Sequence, residues 1–209
     1  SINYVSCKSW DLIESGVKNE INQEFIDYIN KKAKEITQID DVYFEDKIAT
    51  KRFGFDYIQT AYCNQLEGAI NTGMLLKEMH KKTIDANIQV LFGVEALSMS
   101  SNAQGVILQT SQGPIDTSNC IIATNGFAKK WIEDDINPAR AQVIVTNEIK
   151  SLKVNGTFHF QKGYYYFRNI GNRILLGGGR NLDFKGETTE SFETTPKIQQ
   201  KLEELMRST

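Results

Sequence analysis

The chain has 209 residues, with 24 Lys plus Arg against 26 Asp plus Glu and a formal net charge of −2, so it holds one large domain or two small ones and is not a basic polypeptide. Hydrophobic residues make up 40% and charged residues 24%, a globular rather than disordered composition. Basic residues cluster only in pairs such as Lys31-Lys32, no apolar run reaches spanning length, and Cys7, Cys63 and Cys120 are scattered without a CxxC spacing. These features argue against a nucleic-acid partner, a membrane span, a zinc site and a disulfide framework, and they point to a reducing cytoplasm.

Residues 9–38 carry Leu12, Ile13, Val17, Ile21, Phe25, Ile26 and Ile29 at three- and four-residue steps, which predicts a helix. Residues 41–60 mix aromatics with charges and read as strand and loop. Glu67-Gly68-Ala69-Ile70-Asn71-Thr72-Gly73 is a turn-rich entry to a second helix over 72–87, capped by Asn71 or Thr72. Short strands follow at 88–92, 95–99, 105–110 and 113–116, with turns at Gly105 and Gln112-Gly113. They form a β-meander that leads into a strand at 120–123. Pro138-Ala139-Arg140-Ala141-Gln142 breaks the pattern and feeds strands at 143–146, 157–160, 164–168 and 173–176. An amphipathic helix over 195–207 closes the chain, with Thr194 or Thr195 as cap and Pro196 in the first turn. The chain opens in mid-pattern and stops directly after this helix, so an internal piece of a larger protein is expected.

Three stretches stand out chemically. Cys120-Ile121-Ile122-Ala123-Thr124-Asn125-Gly126-Phe127 is a strand-forming run that ends in a small-residue turn. Ligands bind beyond the carboxyl ends of strands in open α/β sheets, although a buried strand followed by an Asn-Gly turn is also ordinary structure. Tyr164-Tyr165-Tyr166-Phe167-Arg168 puts Tyr164, Tyr166 and Arg168 on one strand face. That face either lines a pocket for a small polar substrate or is a half-buried strand with Arg168 in a surface pair. Gly177-Gly178-Gly179 lacks the spacing of a phosphate loop, and a structural role is expected. Of the two histidines, His80 belongs to a solvated helix face and His159 to a strand. No metal set or nucleophilic triad is readable, so no catalytic residue is assigned.

Taken in order, the 67–73 entry, the helix and meander, Ile122-Ala123-Thr124-Asn125-Gly126, Pro138 to Val143, and Gly163 through Arg180 resemble the FAD-dependent oxidoreductases of the D-amino-acid oxidase and glycine oxidase superfamily. The likeness covers most of residues 60–207, and the ordered set carries it rather than any single motif. It implies an α+β fold: a mostly antiparallel substrate-domain sheet with helices, plus an incomplete Rossmann-like FAD-domain part containing a β-meander. The implied boundaries are a substrate-domain part at 1–66, a partial FAD-binding domain at 67–137, and substrate-domain sheet and helix at 138–209. It also implies FAD as cofactor, with Ala96 beside the adenine by backbone contacts and Ala123, Thr124 and Gly126 by the phosphate and ribose region. Tyr164, with Tyr166, would face an amine or amino-acid substrate.

The family's N-terminal Gly-x-Gly-x-x-Gly and its C-terminal flavin segment have no counterpart in these 209 residues. The expectation is therefore part of an enzyme that transfers hydride from an amine or amino acid to flavin, inactive as this chain and without stoichiometric FAD. The alternative is a non-catalytic module that self-associates through exposed sheet edges or binds a protein partner.

Overall fold

Trp10 and Leu12 alternate with Ser9 and Asp11, and this two-residue period sends the large apolar groups to one side of a strand. In the computed structural model, which describes Ile2 and residues 4–208, that strand is β1 (Ser9–Glu14). The helix expected over 9–38 therefore begins only at α1 (Gln23–Thr37). Leu12, Ile13, Val17 and Ile21 mimic a helical stripe, but β1 is claimed by two neighbours, β3 (Ile58–Asn64) and β8 (Thr157–Phe160). The start of α1 is fixed by Asn22, whose side chain accepts the Phe25 N–H, and its end by Gln38 in the left-handed region.

Residues 41–60 hold β2 (Tyr43–Glu45), the start of β3 and a short helix, α2 (Ala49–Phe53), which the strand-and-loop reading omits. Then come α3 (Thr72–Asp85), capped by Asn71, and the meander β4 (Ala96–Asn102), β5 (Gly105–Thr110) and β6 (Gly113–Thr117). After β7 (Gln142–Val145) and β8 lie β9 (Tyr165–Ile170), β10 (Arg173–Gly178) and α4 (Pro196–Ser208). Two segments expected as strands are not. Residues 88–92 and 120–123 find no ladder partner among the described residues, and Ile121 is 89% exposed. Strand formation is a property of pairing, so β-branched residues without a partner stay irregular.

The strands make a seven-stranded sheet in the order β2-β3-β1-β8-β9-β10-β7 and a three-stranded sheet, β4-β5-β6. Only the β1–β8 contact is parallel among the described residues, so this is a mixed α+β fold with a mostly antiparallel main sheet. One face of the main sheet is the core. Trp10, Leu12, Phe158, Phe160, Tyr165, Phe167 and Leu176 pack there against Phe53 and Phe55, and against Ile198, Leu202 and Leu205 of α4. No helix among the described residues is long and apolar enough to cross a membrane.

Candidate functional site

The same alternation that buries Trp10 and Phe158 turns Asp11 and His159 to the opposite, open face. Register makes Tyr62, Asp11, His159, Tyr166 and Gly177 consecutive neighbours across five strands. At their centre, the Tyr43 hydroxyl donates to Asp11 Oδ2 at 2.8 Å, and His159 Nδ1 stands 3.7 Å from Asp11 Oδ1. Tyr43 stacks on Tyr62 with ring centroids 5.9 Å apart, and Phe25 of α1 packs on its edge. Burial, reinforced by the Asp11 charge, holds the Tyr43 phenol far above its ordinary titration range, so it serves as a donor.

Tyr166 lies flat on β10. A Cβ at Gly177 would come within 2.6 Å of its ring, so the glycine makes room for the aromatic. Burial pushes the Tyr166 phenol upward. Gly178, at φ +119°, brings β10 against the Tyr164 carbonyl, which accepts the Gly179 N–H at 3.0 Å. The triple glycine is thus a structural device, as expected from its spacing. Arg168 shares the open face but reaches sideways, donating from Nη1 to the Ile70 carbonyl at 3.0 Å. It ties the sheet to the entry of α3 and borders a small cavity of about 170 Å³ beside Ile70 and Asn71, away from Tyr164.

Tyr164 falls one residue before β9, and its ring is partly exposed, edge-on to Phe184. It borders a cleft of about 470 Å³ between β1, the β8–β9 turn and residues 17–21, which also takes in Asp11 and His159. The aromatic alternation puts Tyr164 and Tyr166 on one strand face, whereas Asp11 lies inside the stretch expected to be helix. The sequence pattern marks His159 only as a strand residue. No sequence signal links them, since they are 148 positions apart and meet only through the parallel β1–β8 register.

The expected cofactor residues gather at a second place. Residues Asn125–Lys130 form a 3-10 turn, with Asn125 in the left-handed region and Gly126 packed on Pro138. Lys130 of that turn donates to the Ala96 carbonyl at 3.0 Å and stands 3.7 Å from Glu95, which holds the start of β4 beside the turn. Ala123 and Thr124 are exposed and Gly126 half-buried, so small side chains leave backbone open to a ligand edge. A cavity of about 700 Å³ opens between this turn, residues 136–143 and residues 189–194. Of the expected cofactor residues Gly126 lines this cavity, and the sequence supplies no glycine-rich loop for a dinucleotide's pyrophosphate. His80, expected on a solvated helix face, is half-buried with its ring edge-on to Phe92 at 5.1 Å.

The segment after β10 joins the two places. Phe184 meets Tyr164 at 6.2 Å, and Phe192 meets Phe127, beside Gly126, at 5.8 Å. Between them sits a buried polar knot. Glu187 accepts from Arg140 Nε at 3.0 Å and Nη2 at 2.8 Å, from Gln142 Nε2 at 2.9 Å and from Thr195 Oγ1 at 3.2 Å. Arg140 also donates to the Glu193 carbonyl.

The family described as DAO, FAD dependent oxidoreductase, matches residues 17–209. Among solved structures, the chain is similar to glycine oxidase from Bacillus cereus ATCC 14579, with TM-score 0.73 and 14% identity over 99% of this chain and 56% of that one. It is similar to L-proline dehydrogenase from P. horikoshii, with TM-score 0.71 and 16% identity over 98% of this chain and 56% of that one. It is also similar to iminodiacetate oxidase from Chelativorans sp. BNC1, with TM-score 0.69 and 14% identity over 97% of this chain and 55% of that one. At these identities the likeness is one of fold, and the chain spans little more than half the length of each. No curated protein matches in sequence.

Proposed function

The chain belongs to the DAO family of FAD dependent oxidoreductases, and from that premise we propose that it supplies the substrate face and one cofactor edge of an enzyme oxidising an amine or amino acid. FAD, when bound in the whole protein, accepts the hydride at its flavin ring. Ala96, Ala123, Thr124 and Gly126 border it in this reading, and Tyr164 and Tyr166 orient the substrate. The substrate-domain parts are 1–66 and 138–209, with the FAD-binding part at 67–137. The odd, unpaired cysteines suit a reducing cytoplasm.

One observation carries the reading. The stretch from 183 to 195 leans on Tyr164 at one end and on Phe127, next to Gly126, at the other, so a single packed segment sets both places. A phenol at Tyr164 can donate one hydrogen bond to a substrate carboxylate or amine. Tyr164→Phe in the whole protein is expected to lower kcat/KM by about tenfold, the loss of roughly one hydrogen bond. An unchanged kcat/KM would remove Tyr164 from the substrate contacts.

The experiment that tests the whole reading is expression of the 209-residue chain and of the full reading frame around it, followed by flavin absorbance of each. The full-frame protein is expected to be yellow and to bleach anaerobically on addition of an amine or amino acid. The 209-residue chain alone is expected to carry no stoichiometric FAD, because contacts along one edge do not offset the cost of immobilising the ligand. A colourless full-frame protein would favour the second reading, a non-catalytic module that self-associates. Ile121, 89% exposed in an unpaired segment, is the observation on its side.

A further inference from the structure

We propose that the cleft between β1 and residues 17–21 is a cation subsite, in which Asp11 receives a protonated amine carried on a short apolar chain. The proposal deepens the reading above and rests on it only for its biological meaning: it narrows the substrate to an amine or amino acid with a second, cationic group. The argument starts from the charges. The cleft holds Asp11, Glu14 and Glu20 against Lys18 and Lys162. Two of these carboxylates are already engaged, Glu20 with Lys162 Nζ at 3.0 Å and Glu14 with Gln161 Nε2 at 3.0 Å. Asp11 differs. Its Oδ2 is pinned by the buried Tyr43 hydroxyl at 2.8 Å, while His159 Nδ1 stands 3.7 Å from Oδ1, too far for a hydrogen bond.

An anchored, half-exposed carboxylate that lines the cleft suits an ammonium, because little side-chain freedom remains to be lost on binding. Ile13, Val17 and Ile21 line the same cleft and can cover a chain of a few methylenes. The phenol of Tyr164 stands at its border, so the reacting end of such a substrate would lie beside the tyrosine while its distal cation reached Asp11.

The test uses the 209-residue chain, labelled with nitrogen-15, and three probes of equal length: pentan-1-amine, pentanoate and pentan-1-ol. At neutral pH the amine is expected to shift amide resonances of residues 11–14 and 159–164, with a dissociation constant on the order of 1 mM. Pentanoate and pentanol should bind at least about tenfold more weakly. Asp11→Asn, whose amide oxygen still accepts from Tyr43, should bring the amine down to the level of the alcohol. Three results would overturn the proposal: pentanoate binding as tightly as the amine, Asp11→Asn binding the amine as the natural chain does, or no shifts with any probe. The comparison of probes on the natural chain needs no variant to fold. The titration also needs no flavin, so a failed subsite and a failed flavin reading give different results.

Discussion

Phe158→Ala is expected to lower folding stability by about 4 kcal/mol, a third or more of what a domain of this kind has to lose. Phe158 is fully buried at the middle of the main sheet. Its ring stacks on Phe167 at 4.7 Å on one side and on Trp10 at 5.2 Å on the other, continuing one aromatic row across three adjacent strands. Phe53 and Phe55 close over it edge-on at 5.0 and 5.5 Å. The loss combines the transfer of a phenyl group, four aromatic contacts and a cavity that this rigid row cannot collapse into. Phe158→Leu, which fills most of the volume, is expected to cost about half as much. The measurement is a urea titration read by circular dichroism, in which the midpoint should fall with the slope unchanged. A loss under about 1 kcal/mol would mean that the two sheet edges, and not this row, carry the fold. The proposed subsite depends on the same row, because β1 and β8 hold Trp10 and Phe158 on one face and Asp11 and His159 on the other.

The strands of the meander and of β8 to β10 are legible because each run pairs with a near neighbour across a short turn. β9 and β10, for instance, meet at Gly171-Asn172. Local pattern and tertiary pairing then agree. They disagree where the partner is remote. In β1, Leu12 and Ile13 fit a helical stripe as well as a strand, and what decides is β8, which starts 143 residues after the end of β1. At 120–123 the propensity is right and the partner is missing, so Ile121 stays exposed. The candidate site divides in the same way. Tyr164, Tyr166 and the 123–126 turn are legible as sequence features, one by aromatic alternation and the other by small residues after a strand-like run. Asp11 beside His159, and Glu187 beside Arg140, are contacts of register and packing, and no local pattern records them.

Glu187→Ala is expected to cost about 3 kcal/mol at neutral pH, because it removes the acceptor from a buried, charged hydrogen-bond set. The Glu187 side chain is only 2% exposed, and both of its oxygens are occupied. The Arg140 hydrogen bonds, aided by Gln142 and Thr195, pull its carboxyl down to about 2 from an ordinary 4.5, against the opposite push of burial. A folded-state value below the unfolded one fixes the sign. The contribution is complete above pH 4.5, erodes as acid titrates the unfolded chain through that value, and is gone once the pH falls through 2. Glu187→Gln keeps the shape and loses the charge, so the stability gap between it and the natural chain should be widest at neutral pH and narrow steadily below 4.5. A gap of constant size between pH 6 and pH 3 would show that the carboxylate is not the group at work. The consequence extends to the site. Glu187 anchors the middle of the stretch whose ends carry Phe184 against Tyr164 and Phe192 against Phe127. Its loss should therefore speed amide exchange across residues 183–195 before it changes exchange in the aromatic row around Phe158. That order of loosening would place the buried knot as the element that holds the proposed substrate face and the proposed cofactor edge in one frame.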